Sequence, residues 1–207
     1  MHEHAMGAGM ADLPRLPADR FLPPGQRLVA EAPVMHYGPV PRRRPERWRL
    51  TVGGATADGA EHALTYQQVL ALTPLEVTAD LHCATGWSSV DERWSGVAAR
   101  SVVEVAPPRE DVEHVLVFAE YGYAATVRLE DLVSPRTVLA THHAGEPLSD
   151  ERGGPLRLIL PHLYSWKGPK WLRGWNYLTE VERGFWEARG YHLRGDAWRE
   201  ERYSHQE

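Results

Sequence analysis

Short apolar or alternating stretches, each bounded by Gly, Pro or Asp, recur along most of this sequence. Such a pattern predicts β-strands of a few residues each. We expect strands at EVTADLHC, HVLVFAE, ATVRLED, LRLIL and NYLTEV, and a further one that begins at Arg47 and ends at Gly53–Gly54. Because the strands do not alternate with helical segments, the sequence argues against a doubly wound parallel sheet and favours an α+β domain.

Few segments have the spacing of a helix. Leu64–Leu72 carries apolar side chains at helical intervals, so a short helix is predicted there. Ser101 to Ala106, stopped by two prolines, and Gly184 to Arg189 are the other candidates. Eight of the 16 prolines fall within the first fifty residues. This quarter is therefore predicted to be an extended arm that lies over the body of the domain.

The chain ends and the overall charge limit where the protein works and what it binds. We expect residues 1–20 to be a flexible segment and residues 21–207 to form one domain. The first residues lack the pattern of a secretion signal, which predicts a cytoplasmic protein. The formal net charge of −5 argues against a nucleic-acid partner. No apolar run approaches the length that a bilayer requires, so membrane insertion is not expected.

The chain has one cysteine, Cys83. A single thiol excludes an internal disulfide and every metal site that needs several thiolates. Cys83 ends a predicted strand and precedes a stretch rich in Gly, Ser and Thr, where backbone amides can approach a ligand closely. The alternative, which a lone cysteine without further context favours, is that Cys83 is a small buried apolar side chain. His82 should point to the opposite face of the strand, so the two residues cannot easily share a metal ion.

A second cluster combines basic and aromatic side chains within RGGPLRLILPHLYSWKGPKWLRGW. Its cations and tryptophans suit a phosphate or another anion next to a planar ring system. The members are Arg157, Lys167, Lys170, Arg173, Trp166, Trp171 and Trp175. The alternative is a solvated basic loop whose tryptophans belong to the core. His142–His143 are interpreted as surface or structural residues, and Tyr121–Gly122–Tyr123 would matter if it faced the same cavity as Cys83.

The ordered set LPPGQ…HYGPVP, HCATGWS, WSGV, YGY, GGPLRLILPHLYSWKGPKW and GFWEARGYHLRGDAWREERY resembles the sulfite oxidase family of molybdopterin enzymes. The resemblance is to its small cytoplasmic branch, which is related to the catalytic subunit of periplasmic methionine-sulfoxide reductase. It runs from about Leu22 to Tyr203. It implies a mixed, β-rich sulfite oxidase-type fold around one pyranopterin dithiolene cofactor that holds molybdenum, without haem.

The resemblance also implies roles for individual residues. Cys83 matches the thiolate ligand of molybdenum, and Tyr123 matches a substrate-side tyrosine that could donate a hydrogen bond. The expected cofactor-binding residues are His36, Pro39, Val40, Cys83, Arg152, Arg157, Gly168, Pro169 and Lys170. Among these, Arg157 matches the arginine of a G-x-P-x-R strand, and Gly168, Pro169 and Lys170 match the tripeptide that follows it.

Two positions depart from the family pattern. Met35 stands where sulfite oxidases have an arginine that holds the sulfite anion, which argues against sulfite as the substrate. Arg152 stands where histidine or asparagine is usual, so a donor is kept but it is longer and always charged. The resemblance implies no cytochrome-like module within the sequence, so electrons are expected to pass to or from a separate protein.

These observations predict a molybdenum-dependent oxidoreductase that transfers an oxygen atom to or from a small substrate, such as a sulfoxide or an N-oxide. One alternative is a non-catalytic molybdopterin-binding or carrier protein of the same fold. Another is a thiol hydrolase that uses Cys83 with a histidine, although no oxyanion motif accompanies it.

Overall fold

The computed structural model describes residue 16, residues 20–42 and residues 45–207. The predicted flexible segment 1–20 lies outside these residues apart from Leu16 and Arg20, and it stays a prediction. Arg20 is held by ion pairs to Asp80 and Asp91. In residues 20–42 the one regular element is a two-residue strand, in agreement with the extended arm that the prolines predict.

Strands dominate the described part of the chain. They are β1 Arg27–Leu28, β2 Arg49–Gly54, β3 His62–Thr65, β4 Pro74–Cys83, β5 Trp87–Ala98, β6 His114–Ala119, β7 Ala124–Arg128, β8 Val138–His143, β9 Glu146–Pro147, β10 Arg157–Ile159 and β11 Leu172–Leu178. The α-helices are α1 Tyr66–Leu70, α2 Ala99–Val105 and α3 Leu129–Leu132. Single 3₁₀ turns occur at Pro45–Arg47, Glu120–Gly122, Ser165–Lys167, Glu187–Arg189 and Ser204–Gln206.

The strands form two mixed sheets. The first has the order β1-β5-β8-β10, with β4 paired to β5 and β9 paired to β8. The second has the order β3-β2-β11-β6-β7, in which β11 runs parallel to β2 and antiparallel to β6. This architecture confirms the α+β, β-rich class.

The first sheet is buried on both faces. Along β8, Leu139 belongs to the large core cluster, whereas Val138 and Ala140 belong to a smaller one. Leu158 and Ile159 of β10 divide in the same way. Side chains alternate between the two faces of a strand, so the sheet separates two apolar layers. The smaller layer also contacts Cys83 and thereby supports one wall of the site described below.

Several predicted boundaries were wrong for physical reasons. ATVRLED is a strand only as far as Arg128, and the chain then enters α3, whose first turn carries two acidic residues that favour a helix N-terminus. NYLTEV stays in the sheet only to Leu178, because the parallel partner β2 ends at Gly54 and the antiparallel partner β6 begins at His114. Beyond that point, no ladder partner exists among the described residues.

Two of the three predicted helices were too long. Leu64–Leu72 begins in β3, and α1 spans only Tyr66–Leu70 after the Thr65 N-cap. Gly184 to Arg189 contains only the 3₁₀ turn Glu187–Arg189, whereas the helix predicted from Ser101 is confirmed as α2. The longest strand, β5, was not predicted because its residues 88–93 are mostly polar.

Candidate functional site

A cavity of about 360 Å³ brings together residues that are far apart in the sequence. Its wall is built by the arm at residues 32–37, the β4–β5 turn, the turn before β7, the loop between β10 and β11, and residues 185–191. The lining includes most of the residues predicted from the sequence, namely His36, Cys83, Tyr123, Arg152, Arg157, Gly168, Pro169 and Lys170. Pro39 and Val40 lie outside the cavity wall.

Cys83 is the last residue of β4, and its half-buried side chain faces the cavity. Its sulfur lies 3.2 Å from the Thr85 hydroxyl. The turn that follows is closed by a hydrogen bond from Gly86 N to Cys83 O, at 3.0 Å. The Gln26 amide also donates to Cys83 O, at 3.1 Å, and Arg202 donates to Ala84 O. The arm and the C-terminal segment therefore fix the backbone that presents the thiol.

His82 points away from the cavity, as the strand alternation predicts. It is buried, and its Nδ1 lies 2.8 Å from the Ser88 hydroxyl, which in turn donates to Gln26. Burial lowers the pKa of His82. Among the residues that the structure describes, no group of three or more His, Cys, Asp or Glu side chains could hold a metal ion. A metal at Cys83 would therefore need ligands from a cofactor.

Arg157 is a cation buried in the wall of this cavity. It is 7% exposed, and its guanidinium carbon lies 5.2 Å from the centre of the Trp94 ring. Burial, together with the nearby charge of Arg152, lowers the pKa of Arg157 to about 10. Its Nε is buried without a hydrogen-bond partner in the described part of the protein. A buried guanidinium with an unused donor is stabilised by an anion, because an unmet charged donor is costly in an interior.

Lys170 adds a second cation to the same wall. Its Nζ donates to Met35 O and to Glu151 O, each at 2.8 Å. Burial, together with the charges of Arg157 and Arg152, lowers the pKa of Lys170 to about 7. The charge of Arg152 therefore disfavours the protonated forms of both Arg157 and Lys170, and a bound anion would relieve this repulsion.

The loop that carries Lys170 is held close to β10. A Cβ atom on Gly168 would lie 2.2 Å from Leu158 O, so only glycine permits this approach. Leu158 N donates to Pro169 O at 3.1 Å and closes the contact. Gly168 and Pro169 are thus buried backbone supports of the basic wall, and their contact with a ligand stays a prediction.

Tyr123 and Tyr121 both line the cavity that holds Cys83, so the condition set for the Tyr-Gly-Tyr segment is met. The hydroxyl of Tyr123 donates its proton to Trp166 O. Burial raises the pKa of Tyr123 well above its ordinary value, and the charge of Glu187 adds to the shift. In this arrangement the hydroxyl can accept a hydrogen bond but has no second proton to donate.

The proline-rich arm forms the outer wall. His36 meets Trp171 edge to face, with ring centres 5.7 Å apart. The ring centres of Tyr37 and Phe185 lie 4.8 Å apart. An ion pair between Glu31 and Arg152 adds a third attachment. Together with the bond from Lys170 to Met35 O, these contacts attach the arm to the cavity wall.

The basic cluster predicted from the sequence is divided by the structure. Lys167 does not line the cavity but is fully buried in an ion pair with Glu187, at 2.7 Å. Trp175 is a core residue, as the alternative interpretation allowed, whereas Trp166 and Trp171 line the cavity. Arg173 lies in a different pocket. Periodicity could not separate these residues, because their directions depend on the 3₁₀ turn at Ser165–Lys167.

A half-buried pair in the cavity wall, Glu92 and His143, was not predicted from the sequence. Glu92 accepts hydrogen bonds from His143 and Ser89, and His143 stacks on Trp94 with ring centres 4.3 Å apart. Burial raises the pKa of Glu92, but these two hydrogen bonds outweigh it, so the net pKa lies below the ordinary value. The interpretation of His143 as a surface or structural residue therefore omitted its place in the cavity wall. Its pairing across the β5–β8 ladder, Trp94 to His143, has no sequence signal.

Taken together, the cavity offers one thiol, three cations and a rim of aromatic rings. These residues fit an anionic, phosphate-bearing ring cofactor that supplies its own metal ligands, since the protein contributes a single sulfur and a buried guanidinium whose Nε has no partner among the described residues. In the described part of the chain, no helix is long and apolar enough to cross a bilayer.

Comparison with known proteins defines the class of this site. Residues 37–186 match the family described as "Oxidoreductase molybdopterin binding domain". The chain belongs to this family and is a molybdopterin-binding oxidoreductase.

Individual relatives agree with this assignment. The chain is 40% identical over 186 residues to the "Uncharacterized oxidoreductase YuiH" of Bacillus subtilis, covering 88% of this chain and 92% of the relative. It is 26% identical to the protein-methionine-sulfoxide reductase catalytic subunit MsrP of Gluconobacter oxydans, covering 69% of this chain and 54% of that protein. The chain thus spans about half the length of that relative.

A solved structure supports the predicted fold. The sulfane dehydrogenase SoxCD from Paracoccus pantotrophus superposes with a TM-score of 0.68 at 16% identity, covering 79% of this chain and 47% of that one. The likeness establishes the mixed, β-rich sulfite oxidase-type fold.

Proposed function

We propose that this protein is a molybdenum-cofactor-dependent oxidoreductase that reduces a small sulfoxide or N-oxide by removing its oxygen atom, with Cys83 as the one protein ligand of the metal. The observation that carries the proposal is the convergence of Cys83, Arg157 and Lys170 on one cavity. When bound, the cofactor supplies the metal-centred two-electron chemistry and its own dithiolene sulfurs. The rest of the proposal concerns what the side chains of this protein do.

The cations would hold the anionic part of the cofactor. Arg157 has a free buried donor, and Lys170 and Arg152 lie on the same wall. Gly168 and Pro169 keep the loop close to β10, and His36 lies on the arm that covers this side. We assign cofactor binding to these residues and leave Pro39 and Val40 as supports of the arm.

The rim indicates the kind of substrate. Tyr37, Phe185 and Trp186 form an aromatic edge at the cavity, and Met35 offers no positive charge to an incoming anion. An uncharged molecule with apolar groups suits such an edge better than sulfite does. The relatives named as methionine-sulfoxide reductases are in keeping with a sulfoxide.

Reduction of a sulfoxide consumes two electrons and two protons and releases a sulfide and water. The electrons would come from a separate donor protein, consistent with relatives whose names describe them as subunits. The protons would come from solvent, since the hydroxyl proton of Tyr123 is already donated to Trp166 O. We further propose that the reaction takes place in the cytoplasm.

The bond from the Tyr123 hydroxyl to Trp166 O favours a second candidate function. If Tyr123 keeps its bond to Trp166 O when a substrate arrives, the predicted substrate donor is lost, and the protein would bind or carry molybdopterin without turnover. A Tyr123→Phe variant separates the roles. A catalytic tyrosine predicts that kcat falls while cofactor content stays unchanged, whereas a structural one predicts a change in thermal stability alone.

The test begins with protein produced in a molybdate-fed host. The proposal predicts molybdenum and pterin at one equivalent each, with oxidation of a reduced artificial donor that depends on added sulfoxide or N-oxide. Lys170→Gln should lower the cofactor content, whereas Arg128→Gln, an exposed arginine paired to Glu130, should not. Full cofactor loading without turnover on any member of the panel would instead establish the carrier.

A further inference from the structure

A second cavity, of about 170 Å³, lies beside the first. Glu120 and Trp171 line both cavities and so form their common wall. The backbone N of Glu120 donates to Trp171 O at 3.2 Å, which joins the two halves of this wall. None of the roles proposed above uses this second cavity.

Its charge is unusual for an acidic chain. Arg42, Arg47 and Arg173 line the cavity against one carboxylate, Glu120, so its wall carries three positive charges and one negative, a net +2. The whole chain carries −5. Arg173 meets Glu120 at 3.6 Å, whereas neither Arg42 nor Arg47 has an ion pair with a carboxylate among the described residues. Two arginines are therefore available to another anion.

An aromatic residue supports the third arginine. Trp48 is 4% exposed, and the guanidinium of Arg173 lies 5.8 Å from the centre of its ring. This contact holds Arg173 at the cavity while leaving its N–H groups free to bond in the guanidinium plane. The indole Nε1 of Trp48 is buried without a partner in the described part of the chain. The site therefore has a fixed cation next to a rigid ring.

We propose that this cavity binds a small oxyanion, through Arg173, Arg47 and Arg42. The planar guanidinium matches the two oxygens of a carboxylate or phosphate group. Since one water occupies about 30 Å³ of liquid, a cavity of about 170 Å³ admits an oxyanion group with some of its hydration. A bound oxyanion would compete with Glu120 for Arg173. Binding would therefore alter a contact in the wall that this cavity shares with the first one.

The test uses the full chain with its cofactor, labelled with ¹⁵N, and follows the indole N–H signals of the tryptophans. Inorganic phosphate is titrated at constant ionic strength, with chloride as the reference and succinate as a carboxylate arm. The Trp48 signal, assigned through Trp48→Phe, should shift and saturate with phosphate, with succinate or with both. Arg173→Gln should weaken this binding at least about tenfold, since it removes a charge-assisted contact.

A second site variant and a control variant complete the test. Arg47→Gln changes an exposed side chain, so it tests the site even if Arg173→Gln fails to fold, and it should also weaken binding. Arg128→Gln is the matched control and should bind as the wild type does. A shift that is linear and equal in chloride would overturn the proposal. So would a saturating shift that survives Arg173→Gln and Arg47→Gln but disappears in Lys170→Gln, because the phosphate would then occupy the first cavity.

Discussion

The side-chain nitrogen of Lys170 donates to the backbone carbonyl of Met35, at 2.8 Å, although the two residues are 135 positions apart. This bond ties the proline-rich arm to the basic wall of the cavity that contains Cys83. Met35 itself is half exposed, and Lys170 binds its carbonyl. The same amine is predicted to bind the cofactor, and it therefore links the closure of the arm to the occupancy of the cavity.

Lys170 predicts a pH dependence of stability in the cofactor-free protein. Burial lowers its pKa to about 7 from the ordinary 10.5, so the unfolded chain holds more protons than the folded protein between these two values. Stability contributed by this group therefore rises with pH over that window. The destabilisation is complete below pH 7 and fades toward pH 10.5.

The measurement is the free energy of unfolding of wild type and Lys170→Met, both without cofactor, at pH 6, 7 and 9. Lys170→Met removes the titrating group, so wild type should gain stability relative to the variant between pH 7 and 9. A difference that stays constant across this range would show that the Lys170 amine titrates in its ordinary range.

The Glu92–His143 pair predicts a second rise of stability with pH, in the acid range. The pKa of Glu92 lies below its ordinary value, so its contribution to stability is present above that ordinary value and is lost as the pH falls through the folded pKa. Glu92→Gln should therefore cost about 1.5–3 kcal/mol near neutral pH, the range for hydrogen bonds to charged groups, and less at pH 4. Denaturant unfolding at both pH values checks this.

Glu130→Gln serves as the control for that experiment, because Glu130 pairs with Arg128 on the surface and should change stability little. An equal loss in Glu92→Gln at neutral and acid pH would contradict the account, since the carboxylate would then act only by its shape.

The fully buried pair Lys167–Glu187 predicts a large loss when one partner is removed. Lys167 also donates to Thr126 O and Leu193 O, and it anchors the 3₁₀ turn whose Trp166 carbonyl accepts the bond from Tyr123. Lys167→Met leaves Glu187 buried without its partner and should cost about 3–5 kcal/mol.

The double variant Lys167→Met/Glu187→Leu removes both charges and should recover most of that loss. Thermal or denaturant unfolding of the two variants gives the answer. If the single variant were as stable as the wild type, the pair could not be what fixes the 165–170 loop.

The sequence predicts the fold class and much of the site, because strand ends, prolines and glycines are local signals. Cys83 was placed correctly at the end of β4 and on the face opposite His82 by strand alternation. Glu92 and His143 were not predicted as site residues, because their pairing depends on the register of β5 against β8. That register shifts between Ser95 and Gly96. Lys167 was grouped with Lys170 because nothing local shows that its ammonium turns inward to Glu187.

The most direct test of the central claim is the number of sulfur ligands on molybdenum, measured by X-ray absorption at the metal edge. In the wild-type protein we expect two sulfurs from the cofactor and one from Cys83. In Cys83→Ser the thiolate should be missing, which leaves the two cofactor sulfurs on whatever metal is retained. An unchanged sulfur count in the variant, with full metal content, would contradict the assignment of Cys83 as the ligand.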